Sequence, residues 1–168
     1  KFWGVETPDE YLIALQDLIN IFGNISNVEL CLKLHPSYFF QANIDDLQCL
    51  IDPPDNVVIS KEKINKELIS TDLLISYSST VIEEALINKI PVLLYDKWKR
   101  YMHHNCINLE KESFRPSTLY YANTPITIEN NYIEIIDESN NSNVNWSKHT
   151  YDKSEHLCFD SYVNKALN

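Results

Sequence analysis

The sequence predicts an α/β protein, built as a doubly wound parallel sheet with helices on both faces. Three observations predict it. Strand-like and helix-like stretches alternate from Val28 to Tyr95, the order that a parallel sheet with crossover helices requires. The strand-like stretches are short apolar runs without polar alternation, such as Leu73-Leu74-Ile75 and Ile90 to Tyr95, as in strands covered on both faces. The chain has 168 residues, 44% of them hydrophobic, which suffices for one domain with its own core.

The elements follow in order. Thr7-Pro8-Asp9-Glu10 starts a helix: Thr7 caps, Pro8 takes the first helical position and Glu10 completes a capping box. Leu12, Leu15, Ile19 and Phe22 form its inner stripe, and Gly23 is its stop. Val28 to Leu34 is a buried strand that ends at His35-Pro36. Tyr38 to Ile51 reads as a helix bounded by Pro53-Pro54, Asn56 to Ile59 as a short strand, and Ser60 to Leu68 as a capped helix. After Tyr95 the pattern loosens into a polar, basic and aromatic stretch. Leu119 to Ala122 is a short strand, Thr127 to Asp137 a helix, Asn140 to Ser147 an Asn/Ser-rich loop, and Asp152 to Leu167 a final amphipathic helix.

The central unit is the strand Leu73 to Ile75, the polar turn Ser76 to Thr80, a helix over Val81 to Leu86, and the next strand. Hydroxyls at a helix start add rotatable donors where backbone N–H groups lack helical partners, and a phosphate is the natural guest. An ordinary cap, with Thr80 and Glu83 spaced as a capping box, is the other reading. In open α/β sheets ligands bind at the carboxyl ends of strands. His35 and Ser76 both stand at such ends, so one site can use both. His35 can donate to a phosphate or a nucleotide hydroxyl, or be a loop histidine fixed by Pro36. Lys97, Lys99 and Arg100 follow another strand end, where they contact an anion or form a solvated basic patch.

Composition narrows the function. A net charge of −10 argues against nucleic acid, which needs a basic face. Two glycines in the whole chain exclude Gly-rich phosphate loops. Cys31, Cys49, Cys106 and Cys158 are widely spaced and read as reduced, mostly buried thiols. His103, His104 and Cys106 do not make a metal site: adjacent histidines on a helix point about 100° apart, and no second ligand pair follows. No metal is expected.

The turn Ser76-Tyr77-Ser78-Ser79-Thr80, preceded by Leu34-His35-Pro36, resembles the paired His-Pro and Ser-Ser motifs in the C-terminal domain of GT-B-type transferases. Bacterial sialyl- and polysialyltransferases and the CDP-glycerol glycerophosphotransferases with related capsule enzymes carry such motifs. The likeness covers Val28 to Tyr95. It implies a Rossmann-like domain that binds a cytidine-activated donor, a CMP-sugar or a CDP-polyol, for transfer to a polysaccharide or glycolipid acceptor. It also implies an N-terminal GT-B domain beyond this chain, and a cytoplasmic protein, or one peripheral to the inner face of the plasma membrane. By the same resemblance His35, Ser78 and Ser79, with Thr80, hold the phosphate, and Pro36 and Ser76 belong to the same nucleotide-binding set. His35 stabilises the leaving group as the catalytic residue here, and Glu84, or alternatively Glu83, takes the ribose hydroxyls. The general base is expected from the other domain. Glu83-Glu84-Ala85 is also similar to UDP-sugar 2-epimerases, although these usually carry glycines where Ser78 and Ser79 stand. A non-catalytic binding domain of the same fold is the third reading.

Overall fold

The structure is a computed structural model that describes residues 7–23, 25–33, 51–77, 79–100, 106–141, 144 and 146. It is an α/β arrangement of parallel strands flanked by helices. The strands are β1 (Leu30–Lys33), β2 (Val57–Ser60), β3 (Leu74–Ser76), β4 (Val92–Tyr95), β5 (Ile107–Asn108) and β6 (Leu119–Ala122). The helices are α1 (Pro8–Phe22), α2 (Ile64–Glu67) with a 3-10 turn Leu68–Ser70, α3 (Val81–Ile87) and α4 (Pro125–Asn140). All pairings are parallel, but among the described residues they form two sheets: β1-β2, and β3-β4-β6-β5. No described helix is long and apolar enough to cross a membrane.

β4 shows why the apolar runs lack alternation. All four of its residues are buried, because helices cover both faces. Leu93 and Tyr95 join Tyr120 and Ala122 under α1 and α4, in a cluster with Phe22, Ile128 and Ile135. Val92 and Leu94 join Leu119 and Tyr121 on the other face, against Ile82 and Ala85 of α3. A third cluster joins Leu15 and Ile19 of α1 to Leu32, Ile51 and Val57 beside the small sheet. At about 1.5–3 kcal/mol per fully buried aliphatic or aromatic side chain, these clusters dominate the stability.

The start of α1 is as the sequence predicts. Glu10 N–H donates to Thr7 Oγ1 (3.3 Å) and Thr7 N–H to Glu10 Oε2 (2.9 Å), and Pro8 occupies the first turn. Gly23 ends the helix, in a right-handed conformation (φ −63°). Its lack of a side chain answers to space: a Cβ there would lie 2.5 Å from the Ile19 carbonyl oxygen and 2.8 Å from Pro54 Cγ. The chain then turns into β1 around Asn56, whose Nδ2 donates to the carbonyls of Phe22 (2.9 Å), Ile25 (3.2 Å) and Val28 (2.8 Å).

Several boundaries differ from the sequence reading. The capped helix over Ser60 to Leu68 begins only at Ile64, with Lys63 at a cap position that forms no side-chain bond. Ser60 instead closes β2; its hydroxyl accepts from Glu62 N–H (3.0 Å) and donates to Glu67. α4 is longer at both ends than Thr127 to Asp137. It starts with the same Thr-Pro signal as α1, Thr124 accepting from Thr127 N–H at 3.4 Å, and it absorbs Asn140. β5 had no sequence signal, being two residues held only by pairing with β6. Cys31 is exposed and Cys106 half-buried, neither in a disulfide, so neither is the buried thiol that the sequence reading expected; Cys49 and Cys158 lie outside the described residues. The expected helix Tyr38 to Ile51 lies outside the described residues apart from Ile51, and the expected helix Asp152 to Leu167 lies outside them entirely.

Asn56→Ala is expected to destabilise the fold by about 2–3 kcal/mol, at about 1 kcal/mol for each of three hydrogen bonds lost. Urea unfolding checks this, and a loss below about 0.5 kcal/mol, the range of an indifferent surface substitution, would show that the Asn56 bridge does not hold the α1–β1 turn.

Candidate functional site

The serine turn leaves the carboxyl end of β3, beside the carboxyl end of β4, with Ser76 in register with Leu94. Ser76 is half-buried, and Ser79, Thr80, Glu83 and Glu84 are exposed. The turn and the first turn of α3 thus put Ser76, Ser79, Thr80, Glu83 and Glu84 on one edge. His35, Pro36 and Ser78 lie outside the described residues.

The local bonding corrects the expected cap. Thr80 holds the N-cap position with helical backbone angles (φ −62°, ψ −18°) and no side-chain cap bond. Thr7, which does cap, has extended ψ (158°); only that geometry swings the hydroxyl back over the first turn. The Thr80–Glu83 capping box is therefore not made. Ser79 takes the role in part, its Oγ accepting from Val81 N–H at 3.3 Å. Ile82 N–H donates to the Ser79 carbonyl (3.1 Å) and Glu83 N–H to the Thr80 carbonyl (3.2 Å). The first N–H groups of α3 are thus already engaged. With seven residues, α3 also has only a short run of aligned peptide dipoles. A phosphate here would be held chiefly by hydroxyls.

The neighbouring strand end contributes a residue that the sequence reading passed over. Asp96 directly follows β4 and is fully buried (0% exposed). Its Oδ2 accepts from the Tyr121 hydroxyl at 3.4 Å, and its N–H donates to the Ala122 carbonyl at 2.9 Å. Burial, and then the nearby Asp96 charge, push the Tyr121 phenol above its ordinary range. The available signal was an aspartate straight after four apolar strand residues, at the end where ligands bind. The next residues turn through Lys99, whose φ is +56°.

Two of the three basic residues noted after β4 are committed elsewhere. Lys97 pairs with Asp17 of α1, and the Tyr95 hydroxyl donates to the same carboxylate at 2.6 Å. Arg100 forms a two-pronged pair with Glu10, its Nη1 at 2.9 Å from Oε2. Both pairs orient α1 across the carboxyl ends of the strands, so neither cation is a ready anion receptor. Of the expected thiols, Cys31 lies 3.7 Å from Glu67 Oε2; desolvation and the Glu67 charge push it up, away from a reactive thiolate at neutral pH. Two surface depressions, of about 310 and 380 Å³, lie beside Gly23 and Asn56 and beside Cys31 and Ser60. Neither reaches the serine turn.

The chain matches no protein-family model, no curated protein and no solved structure. What the fold defines is a class: an α/β protein of parallel strands and flanking helices, compatible with a Rossmann-like arrangement.

The Arg100 guanidinium, with the Thr7 backbone, holds the Glu10 carboxyl below the ordinary glutamate range. A depressed carboxylate pKa stabilises the folded state above the unfolded pKa, and that contribution is lost as pH falls through the folded one. Arg100→Gln is expected to move the Glu10 titration up towards the ordinary range, read by NMR on the side-chain carboxyl. An unchanged titration would mean that the pair does not form in solution.

Proposed function

We propose that the chain is the donor-nucleotide-binding domain of a GT-B-type glycosyltransferase or glycerophosphotransferase that uses a cytidine-activated donor in bacterial surface polysaccharide synthesis. The observation that carries the reading is the hydroxyl-rich turn at the carboxyl end of β3 within a parallel α/β sheet, where such folds bind ligands. The earlier His35-Pro36 motif supports it by resemblance. His35, Ser78 and Ser79 with Thr80 hold the donor phosphate, Pro36 and Ser76 complete the nucleotide site, Glu84 or Glu83 takes the ribose, and His35 stabilises the departing phosphate. The general base comes from a second domain, so these residues alone bind donor without turning it over.

One observation favours a second reading. The first N–H groups of α3 are satisfied within their own turn, as in a domain of this fold that binds no phosphate there. A nucleotide panel scored by thermal shift separates the two. CMP and CDP are expected to stabilise the protein more than uridine, adenosine or guanosine nucleotides, by about 2.7 kcal/mol at 100 times Kd. Stabilisation by none supports the non-catalytic domain, and a uridine preference supports the epimerase-like enzyme.

Replacing Ser78 and Ser79 together by Ala removes neutral donors to a charged phosphate, each worth about 1.5–3 kcal/mol. CMP affinity is expected to fall about ten- to several-hundred-fold while cytidine binding hardly changes. Because Ser79 helps to cap α3, the variant is also expected to lose about 0.5–2 kcal/mol of stability, so calorimetry is run well below its unfolding midpoint. Equal losses for CMP and cytidine, or no loss for CMP, would place the phosphate elsewhere.

A further inference from the structure

We infer that Asp96 is a specificity-determining residue: its buried charge makes the serine turn select a donor linked through one singly charged phosphate diester, as in a CMP-sugar. A phosphate monoester or a diphosphate linkage, as in a CDP-polyol, is selected against. The inference rests on the reading that the turn holds a phosphate, and it chooses between the two donor classes that this reading leaves open.

Strand alternation puts Asp96 and the turn on one face of the large sheet. Successive strand residues point to opposite faces. Leu93 and Tyr95 pack into the cluster that contains Ile128 and Ile135 of α4, whereas Val92 and Leu94 pack with Tyr121 against α3. Asp96, two residues after Leu94, therefore continues the α3 face. The 3.4 Å bond from the Tyr121 hydroxyl to its Oδ2 agrees. Ser76, two residues after Leu74 of the same cluster, points to that face as well. Ser79 and Thr80 then lead into α3, which packs on it.

The register sets the distance. Ser76 lies opposite Leu94, so Asp96 is one strand across and two residues further along. With strands about 4.8 Å apart and a rise of about 3.3 Å per residue, the Ser76 and Asp96 Cα atoms are about 8 Å apart. Because β3 and β4 are parallel, the chain leaves Ser76 in the direction of Asp96.

Burial makes this charge count. Asp96 is fully buried, where salt screens least, and its charge is felt at Tyr121, whose phenol is pushed up by burial first and by Asp96 next. Two cations of the same segment turn the other way: Lys97 pairs with Asp17 and Arg100 with Glu10, both on α1. Lys99, Glu83 and Glu84 are exposed and screened accordingly. Among the described residues, a ligand on the turn thus meets neutral hydroxyls and one buried negative charge. Unit charges about 8 Å apart at an effective dielectric of about 20 change an affinity about thirtyfold, or about threefold with full salt screening. A phosphate diester carries about one negative charge, a monoester about 1.5–2 at pH 7 and a diphosphate diester about two. That additional charge is what Asp96 selects against.

Calorimetry on the intact protein tests it, with cytidine, CMP and the methyl esters of CMP and CDP as probes. The methyl ester of CMP is expected to bind about three- to thirtyfold tighter than either CMP or the methyl ester of CDP. The nearly isosteric Asp96→Asn is expected to shrink both preferences by that factor, while cytidine affinity moves less than about twofold. Equal or tighter binding of CMP, or of the CDP ester, by the unaltered protein overturns the inference, and this comparison holds whether or not the variant folds. Preferences that survive in folded Asp96→Asn overturn it too. If the methyl ester of CMP binds no tighter than cytidine, or no probe binds, the reading that the turn holds a phosphate fails and the inference falls with it.

Discussion

The structure depends on one helix lying across two parallel ladders. α1 puts Leu15 and Ile19 onto the small sheet and Phe22 onto the large one, and the Phe22 ring meets Tyr132 of α4 edge-on at 5.2 Å. Its polar side is tied down at Glu10–Arg100 and Asp17–Lys97. The magnitudes divide the labour. Burial of three large apolar side chains is worth several kcal/mol (about 1.5–3 each), whereas ion pairs open to solvent are screened and weak beside it. The apolar stripe holds α1 in place, and the pairs set how its first turn faces the strand ends.

That division shapes the candidate site. Lys97 and Arg100 are positively charged residues at the carboxyl edge, yet both are spent on α1. The serine turn therefore offers hydroxyls in a chain of net charge −10. Recognition of an anion on such a surface depends on short, well-aimed hydrogen bonds more than on a long-range field. Buried Asp96, one strand away, lends the same edge a fixed polar anchor through Tyr121.

The local signals were legible where a single turn of chain decides the outcome. Thr7-Pro8 with Glu10 fixed the start of α1, and the apolar run before Asp96 fixed β4, because caps and two-sided burial leave their mark in adjacent residues. The same cap rule failed at Thr80. Its residue types and spacing suit a capping box, but Thr80 stands in helical angles, which a spacing rule does not reveal.

What the sequence by itself determined was the α/β class, the parallel pairing, the strand–helix alternation from β2 to β4 and the position of a hydroxyl-rich turn at a strand end. Periodicity, caps and apolar runs are local, and they survive in any fold. Only the tertiary structure decided that the described strands form two ladders, that β5 exists, that Lys97 and Arg100 belong to α1, and that Pro54 also closes in on Gly23. Each of these is a contact between residues far apart in the chain, and its energy depends on distances that no stretch of sequence contains.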